Sequence, residues 1–398
     1  MGRRIIKALS IPVMLILLLL FSSSCDTTLR EQIELFVDSY NAIIKDGIIY
    51  VSVIDGSDEN PGTLDHPKKT IQSGIDLADE LMDSAEVRVA EGTYNINKTL
   101  MIKEGISIKG GYSAIDWMRD TAQHETIIKA SDIDTAVKIL EGVTVTTAIE
   151  GFTIKAAWEN TVTAVYCDGG SPTIRNNTID ASLGIQDSVG IFNKYASPVI
   201  VANTINAGKG IESCWGIVNV NSSPRIWNNI IYSEGSSNFY KGIVNTNSSA
   251  SIIQNNTIDG GPLPDAVMIY NSSSRPVIEN NILFTLGNAY GIHEEDSSAL
   301  PVKLNNNDFY GCNPIYDYDG GTCTTINEME NYLFDKSVSA SENVSDYPKF
   351  VYQAESDYHL KIDSPLKESG LDLSNSFTTD RDGATRTDPL SIGAYEYE

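Results

Sequence analysis

Three basic residues in the middle of the chain, Lys194, Arg225 and Lys303, could act as a general base. Taking a proton from an acidic sugar also requires carboxylates that hold a divalent cation, because the sugar's own carboxylate must be neutralised first. An ordinary solvated surface charge is the competing interpretation of each basic residue. The sequence therefore offers weak candidates for a base and no complete catalytic set.

Two columns of outward positions next to the repeated aliphatic residues contain no acidic cluster that faces a base. The first column consists of Arg175, Val201, Trp227, Gln254, Glu279 and Asn305, and the second of Tyr166, Phe192, Val218, Val244, Met268 and His293. The members Tyr166, Phe192, Val218, Val244 and Met268 form an apolar stripe that could stack on sugar rings or dock a protein. The preferred alternative is that a loop or the C-terminal segment covers this stripe, because exposed apolar stripes are uncommon.

Two acidic groups are candidates for calcium binding. One is the run His293–Glu294–Glu295–Asp296, and the other contains Asp55, Asp58 and Glu59. A solvated edge is the preferred explanation of the first, and a turn marked by glycine and proline, where Asp is expected anyway, explains the second. The sequence predicts no metal site and no cofactor, and it leaves calcium open.

An asparagine recurs at intervals of 26, 26, 27, 25 and 26 residues along the middle of the chain. The six are Asn177, Asn203, Asn229, Asn256, Asn281 and Asn307. Asparagine tolerates the left-handed backbone region, and its amide can bond to the same amide one coil away. We therefore interpret the column as a structural ladder, and Asn193, Asn219 and Asn245 as a second one.

Aliphatic residues open and close each of these turns, as in SPTIRNNTI (171–179) and SPVIVANTI (197–205). A second anchor, such as Gly190-Ile191 or Ala266-Val267, lies eight to eleven residues before each turn. Columns of identical aliphatic residues are typical of stacked parallel strands, whereas helical repeats show a spacing of about 3.6 residues. The pattern predicts an all-β solenoid, a single-stranded parallel β-helix of roughly nine coils.

The repeats resemble the right-handed parallel β-helix proteins of the pectate-lyase-like group. Residues 50–75, YVSVIDGSDENPGTLDHPKKTIQSGI, resemble a domain of unknown function that heads many secreted bacterial β-helix proteins. The end of the chain, with DYHLKIDSPLKESG (357–370) and SIGAYEYE (391–398), resembles the closing segment of such proteins, although Ser391 replaces a common Asp. The resemblance covers most of residues 48–398 and implies the fold, which carries lyases, hydrolases and binding proteins alike.

The first 24 residues have a basic start, an apolar run from Ile11 to Phe21 and three serines before Cys25. The run is too short to span a bilayer, so it indicates a secretory signal. Cys25 stands where a bacterial lipoprotein is cleaved and acylated, although Ser22 occupies the usual leucine position. We therefore predict a lipid-anchored protein of the cell envelope, on the outer membrane or cell surface or on its periplasmic side. Simple cleavage is the alternative.

The charge of the chain restricts its partners. The formal net charge is −25, and −28 once the three basic residues of the first 24 are removed. Such acidity opposes nucleic acid and other anionic polymers, because the long-range field repels them, and it is compatible with calcium, cationic surfaces or neutral glycans. Glycans and envelope proteins remain as partners beside the membrane, and the oligomeric state is open. Four cysteines remain after Cys25, and Cys312 could pair with Cys323 in an oxidising compartment.

The predicted organisation has three parts. Residues 1–24 are the signal, residues 25–47 are an anchor segment with an amphipathic helix, and residues 48–398 are the β-helix domain. Within that domain, residues 48–85 form a cap with a helix near 69–84, residues 86–310 form the coils, and residues 311–398 close the end. We expect a surface binding or structural element and no enzyme. A calcium-dependent polysaccharide lyase that uses Lys194, Arg225 or Lys303 is the alternative.

Overall fold

The computed structural model describes residues 41, 43, 45–234 and 239–397. Residues 41, 43, 45 and 46 are helical, and Ile43 is buried in the main core. The signal segment, Cys25 and most of the predicted amphipathic helix lie outside the described residues. None of the helices in the described ranges is long and apolar enough to cross a membrane.

A complete coil contributes one strand to each of three sheets, which are parallel except at one antiparallel pair at the C-terminal end of the second sheet. The first sheet contains β1 (Ile48–Val51), β2 (Ala85–Ala90), β5 (Ile106–Tyr112), β8 (Ala148–Glu150), β11 (Thr173–Arg175), β14 (Val199–Val201), β17 (Arg225–Trp227), β20 (Ile252–Gln254), β23 (Val277–Glu279), β26 (Lys303–Asn305) and β29 (Ser339–Ser341). The second sheet contains β4 (Leu100–Ile102), β7 (Thr135–Leu140), β10 (Thr161–Asp168), β13 (Asp187–Lys194), β16 (Ser213–Val220), β19 (Tyr240–Thr246), β22 (Val267–Ser272), β25 (Tyr290–Glu294), β27 (Tyr316–Tyr318) and β28 (Gly321–Cys323).

The third sheet contains β3 (Gly92–Ile96), β6 (Thr126–Ala130), β9 (Thr153–Lys155), β12 (Thr178–Asp180), β15 (Thr204–Asn206), β18 (Ile230–Tyr232), β21 (Thr257–Asp259) and β24 (Ile282–Phe284). A separate antiparallel pair consists of β30 (Phe350–Tyr352) and β31 (Asp357–Leu360), joined by a 3₁₀ turn at Gln353–Glu355. The stack has about nine coils, so the predicted β-helix is confirmed.

Helices close both ends of the stack. Helix α1 (Ile71–Leu81) begins at Thr70, whose side chain accepts a hydrogen bond from the Ser73 amide, and it packs on the first coil as the predicted N-terminal cap. Helix α2 (Ile326–Asp335) begins with a capping box formed by Thr325 and Glu328 and buries Met329 and Leu333 beneath the last strands. Covered ends prevent the edge strands from adding a further chain.

Identical aliphatic residues fill the interior in register. Ile174, Ile200, Ile226, Ile253, Ile278 and Leu304 of the first sheet are fully buried and pair one above another. Burial of each such side chain contributes roughly 1.5–3 kcal/mol relative to exposure, so the repeated pattern is the main source of stability.

The first asparagine column is continuous through the corner between the first and third sheets. Each of its six asparagines is at most 2% exposed, and the Asn256 amide donates to Asn281 Oδ1 at 3.0 Å and to the Ile226 carbonyl at 2.9 Å. The column continues beyond the repeats to Asn343, whose Nδ2 donates to Glu330 of α2 at 3.0 Å.

The second asparagine column lies inside the second sheet. The Nδ2 atoms of Asn193, Asn219 and Asn245 each donate to the next Oδ1 at 2.8–2.9 Å, and Asn271 continues the series. The column ends on Glu294, whose Oε1 accepts from Asn271 at 3.1 Å. Glycine positions 190, 216 and 242 of this sheet lie against the next coil, where a Cβ would collide with a backbone oxygen.

In each of these coils the residue with a left-handed backbone lies one position before the ladder asparagine. The expectation that the ladder asparagine itself adopts this conformation is therefore wrong. The residues with φ between 49° and 57° are Asn176, Ala202, Asn228, Asn255, Asn280 and Asn306. The ladder asparagine itself supplies the buried amide, and its neighbour makes the corner. Ala202 is the one residue of this set that is not an asparagine. Alanine adopts the left-handed conformation at a cost that asparagine largely avoids.

Candidate functional site

The three candidate bases are not brought together. Arg225 and Lys303 belong to a second outward column of the first sheet, in which Ile252 and Val277 lie between them. Three inter-strand spacings therefore separate the Arg225 and Lys303 backbones, which is about 14 Å. Lys194 lies at the end of β13 in the second sheet. A shared proton-transfer site cannot form from residues on different faces.

The two candidate calcium groups are used for other contacts. Glu294 points inward to Asn271 and Tyr316, whereas the Asp296 carboxylate accepts from Ser272 and Ser273. Because neighbouring strand residues face opposite sides, the acidic run does not converge. No group of three or more potential metal ligands occurs in the part of the chain that the structure describes.

Asp58 holds the segment that leads into helix α1. Its Oδ1 accepts from the backbone amides of Lys69 and Thr70 at 3.0 and 2.8 Å and from Ser73 Oγ at 2.6 Å. Burial alone would raise the pKa of Asp58, but these hydrogen bonds outweigh it and lower the pKa. The Asp58 carboxylate is therefore occupied by protein donors around the start of helix α1.

The apolar stripe is only partly as predicted. Tyr166, Phe192, Val218 and Val244 are register partners, but the next partner is Tyr270, and Met268 is fully buried inside. The prediction of Ala266-Val267 as the anchor of this coil is also wrong, because Ile243 pairs with Ile269 and not with Val267. The run of apolar residues at 266–269 does not fix a register by its pattern, and the predicted alignment of this coil was displaced by two residues.

The rings of this stripe pack on one another. Tyr166 meets Phe192 edge to face at 5.2 Å, and Tyr270 stacks on His293 at 5.4 Å. The Lys241 ammonium lies 3.5 Å from the centre of the Tyr270 ring. Neighbouring side chains therefore occupy the faces of these rings that a sugar would need. The C-terminal segment packs on the third sheet and does not cover the stripe.

The predicted disulfide is absent. Cys312 and Cys323 are free and buried, as are Cys167 and Cys214. Cys312 contacts the Leu283 carbonyl at 3.4 Å, whereas Cys323 belongs to β28. Burial raises the pKa of Cys323, which disfavours its reactive thiolate form.

A cleft lies between the outer face of the first sheet and the returning C-terminal chain. Its volume is about 570 Å³, within the roughly 300–1,000 Å³ range of ligand pockets. The side chains that face it include Arg119, Arg175, Asn176, Trp227, Asn228 and Arg381. Three arginines line this cavity together with the carboxylates of Asp380 and Asp382.

An ion-pair cluster forms one wall of this cleft. Glu150 of β8 is 5% exposed and accepts from Arg119 Nη1 at 2.8 Å and from Arg175 Nε and Nη2 at 2.9 and 2.7 Å. Burial alone would raise the pKa of Glu150, but the hydrogen bonds and charges of the two arginines outweigh it and lower the pKa. The carboxylate thus fixes both guanidinium groups at the cleft.

The opposite wall is the C-terminal strap, which we define as residues 366–397. Its Arg386 is buried and donates to Asn228 Oδ1 at 2.9 Å and to Glu396 at 3.2 Å. Phe377 of the strap stacks on Trp227 with ring centres 5.8 Å apart. The left-handed asparagines of the corner hold the strap, since Asn228 and Asn255 donate to its backbone carbonyls.

Arg381 reaches from the strap into the cleft wall with one nitrogen unused. Its Nε donates to Tyr395 at 3.1 Å, and Nη2 donates to Thr204. Nη1 is buried and has no hydrogen-bond partner among the described residues. A buried donor without a partner is costly, so this nitrogen favours an acceptor in the cavity.

Ala202 leaves the space in which the cleft forms. In the neighbouring coils Asn176 and Asn228 occupy the equivalent corner, and Ala202 lies between them in the cleft lining. The sequence shows this difference, because residues 202–203 are Ala-Asn where the neighbouring coils have Asn-Asn. Arg175 belongs to an outward column of the repeats and was predictable, whereas Glu150, Arg119 and Arg381 lie outside the six aligned repeats and were not predicted.

A second hollow of about 490 Å³ adjoins the cleft. Arg175 lines both, and Glu86, Ser107, Lys109 and Thr173 line the second. Lys109 pairs with the Glu86 carboxylate across neighbouring strands. Arg175 is the lining residue that the two hollows share.

The comparisons with known proteins agree with this architecture. Residues 163–329 match the family model described as the right handed beta helix region, so the class of the fold is a right-handed parallel β-helix. Pectate lyase Pel9A is similar with a TM-score of 0.50 and 13% identity, over 88% of this chain and 96% of the lyase.

Two further solved structures are similar at lower scores. The pectin methylesterase from Aspergillus niger has a TM-score of 0.48 and 15% identity, over 70% of this chain and 87% of that chain. The Dettilon tailspike protein has a TM-score of 0.44 and 16% identity, over 66% and 50%. No curated protein matches the sequence. At such identities the likeness concerns the fold alone.

Proposed function

We propose that the chain is an exported glycan-binding β-helix of the cell envelope whose cleft holds an acidic sugar. The observation that carries the proposal is the set of arginines that Glu150 and the strap fix around one cavity. Guanidinium groups recognise carboxylates through paired hydrogen bonds, and Trp227 adds an aromatic surface of the kind that packs on sugars. The buried, unpaired Nη1 of Arg381 supports an anionic or hydroxyl acceptor at the same place.

Binding of hexuronate oligosaccharides, measured by calorimetry beside neutral oligosaccharides of equal length, tests the proposal. We expect Arg175→Lys to weaken binding about tenfold, because lysine keeps the charge beside Glu150 but loses the fork that grips a carboxylate. Arg225→Lys is the matched control on the same sheet and outside the cleft lining, and it should bind as the wild type does. Equal affinity for acidic and neutral sugars would contradict the proposal.

Ala202→Asn gives a second test that preserves the fold. Asparagine suits the left-handed conformation of residue 202, and its longer side chain would enter the cleft. We expect unchanged or higher thermal stability together with at least tenfold weaker binding. Binding that survives this change would place the ligand elsewhere.

The alternative function, a polysaccharide lyase, predicts a different result from the same ligands. Lysis of a uronate creates an unsaturated product that absorbs in the ultraviolet, and calcium should be required. The candidate bases are dispersed, and the ligands of a calcium site are not gathered in the described residues. We therefore favour binding, and a calcium-dependent rise in absorbance would establish the lyase instead.

Attachment to the membrane is the second part of the proposal and rests on the sequence around Cys25. We expect palmitate to label the wild-type chain in bacteria and Cys25→Ser to abolish that labelling. Globomycin should block processing of the wild type. Processing that is insensitive to globomycin, or labelling that persists in the serine variant, would leave simple cleavage as the explanation.

A further inference from the structure

His359 lies between two carboxylates that belong to different parts of the chain. Its Nδ1 is 2.6 Å from Oδ1 of Asp357 on the same strand, β31, and its Nε2 is 2.9 Å from Oδ2 of Asp382 in the C-terminal strap. An ionised carboxylate only accepts hydrogen bonds, so both ring nitrogens must donate, and only the imidazolium can satisfy both partners. His359 therefore ties the hairpin of β30 and β31 to the strap through a positive charge.

Carboxyl groups dominate the surroundings of this imidazolium. The hydrogen bond to Asp382 and the further bond to Asp357 outweigh burial and raise the pKa of His359 to about 9. Asp380, Glu396 and Tyr397 line a hollow of about 250 Å³ together with His359, and Tyr395 stacks on its ring. The Asp380 and Glu396 carboxylates have other partners, since Asp380 Oδ2 accepts from the Glu396 amide and Glu396 pairs with Arg386.

Asp382 belongs to the wall of the cleft as well as to this cluster. It lines the cavity beside Arg381. The hydrogen bond from His359 is the main cause that lowers the pKa of Asp382; burial opposes it, and the positive charge of Arg381 lowers the pKa further. Arg381 is thus a second cation within electrostatic reach of the Asp382 carboxylate. Its Nη1 has no hydrogen-bond partner among the described residues while Asp382 is bonded to His359.

Two further contacts fix the backbone of the strap turn that carries Asp382. The Asp380 carboxylate accepts from the Asp382 amide at 2.9 Å, and Arg381 Nε donates to the Tyr395 hydroxyl at 3.1 Å. The ring of Tyr395 in turn stacks on His359 with ring centres 3.8 Å apart. Because these contacts do not need the charge of His359, the bond between His359 and Asp382 mainly determines where the Asp382 side chain points.

We propose that His359 is a positioning residue of the glycan cleft: its charged ring holds the Asp382 carboxylate away from Arg381, so that Arg381 can bind the carboxylate of the sugar. This inference rests on the proposed glycan binding and specifies how that site is regulated. When the imidazolium releases its proton to solvent, one ring nitrogen becomes an acceptor that faces a carboxylate. Asp382 then exchanges His359 for Arg381, and the chain's own carboxylate competes with the ligand.

The affinity for hexuronate oligosaccharides should therefore depend on pH, although these sugars stay ionised throughout. We expect it to be constant below about pH 8 and to fall about fivefold as the pH rises through about 9, where the folded chain loses the charge of His359. The side chains of His359 and Asp382 are 44% and 56% exposed, so solvent screening limits the effect to roughly this size. Calorimetry measures the affinity, and near-ultraviolet circular dichroism at each pH checks that the fold is retained.

Three variants separate the competition from a purely structural role of His359. His359→Phe keeps a ring to stack on Tyr395 but loses both donors, and we expect about fivefold weaker binding at pH 7. Asp382→Asn removes the competing carboxylate and should abolish the fall in affinity near pH 9. The double variant should recover the affinity of the wild type at pH 7, because nothing remains that competes for Arg381.

His293→Phe is the matched control. His293 also lies between two carboxylates, those of Glu295 and Asp317, and also stacks on a tyrosine, Tyr270, but it belongs to the second sheet. This variant should bind as the wild type does at pH 7. A loss equal to that of His359→Phe would overturn the inference.

Two other results would overturn the inference while the proposed function stands. One is a double variant that binds as weakly as His359→Phe, since His359 would then act only by supporting the strap. The other is a wild-type affinity that stays constant through pH 9 and above. If no acidic oligosaccharide binds at any pH, the proposed function fails and the role of His359 in it fails as well.

Discussion

Replacing Asn256 by alanine is expected to lower the free energy of unfolding by about 4 kcal/mol, because several buried polar groups lose their partners at once. Asn256 Oδ1 accepts from both the backbone amide and the Nδ2 of Asn229 at 3.0 Å. Its Nδ2 donates to the Ile226 carbonyl, the Gln254 carbonyl and Asn281 Oδ1 at 2.9–3.0 Å. Water cannot replace these bonds, since Asn256 is fully buried.

Urea unfolding followed by circular dichroism measures this loss, provided that the slope with denaturant is unchanged. Asn247→Gly is the matched control: Asn247 is an exposed asparagine with a φ of 56°, and glycine adopts that backbone freely. We expect the control to change stability by a few tenths of a kcal/mol. A loss below about 1 kcal/mol in Asn256→Ala would show that the ladder contributes little.

Replacing Glu294 by glutamine is expected to change how stability depends on pH. Burial raises the pKa of Glu294 to about 8. Because the folded-state pKa lies above the unfolded value, the wild type loses stability as the pH rises from about 4.5 to about 8. The total loss from this group is on the order of 4 kcal/mol, and glutamine does not titrate.

Glutamine also has a cost that is independent of pH. Its oxygen can accept from Asn271 and Tyr316 as Glu294 Oε1 does, but Glu294 Oε2 has no partner among the described residues, so an amide there would donate to nothing. That cost is about 1–2 kcal/mol. We therefore expect the variant to be less stable than the wild type at pH 5 and more stable by about 2 kcal/mol at pH 9.

Thermal or urea unfolding from pH 5 to pH 9 measures the crossing of the two stability curves. Glu295→Gln is the matched control, because it makes the same chemical change at the adjacent, exposed residue. The control should show no gain at high pH. Parallel curves for Glu294→Gln and the wild type would mean that Glu294 does not titrate in this range.

The sequence alone was sufficient to predict the coils, because the features that define them are local and repeat. Equivalent residues such as Ile200 and Ile226 stack directly, so a spacing near 26 residues translates into register. The prediction was wrong where the pattern was degenerate. Consecutive apolar residues obscured the face of Met268, and paired asparagines obscured which of the two takes the left-handed conformation.

The cleft could not be predicted in the same way, because distant segments build it. Asn228 and Arg386 are 158 positions apart, and Arg381 and Thr204 are 177 apart. Arg119 comes from the loop between β5 and β6 rather than from a repeated position. Periodicity reports the residues that each coil shares, whereas this site depends on Ala202, Glu150 and the strap, which are exceptions to the repeat.

The two asparagine columns have a direction. In both, each side-chain amide donates toward the C-terminal end of the stack, so the amide dipoles add along the axis as peptide dipoles do in a helix. Each series finishes on a carboxylate, Glu330 in the first column and Glu294 in the second. The β-helix is therefore a polar rod, and a carboxyl group marks the positive end of each internal dipole.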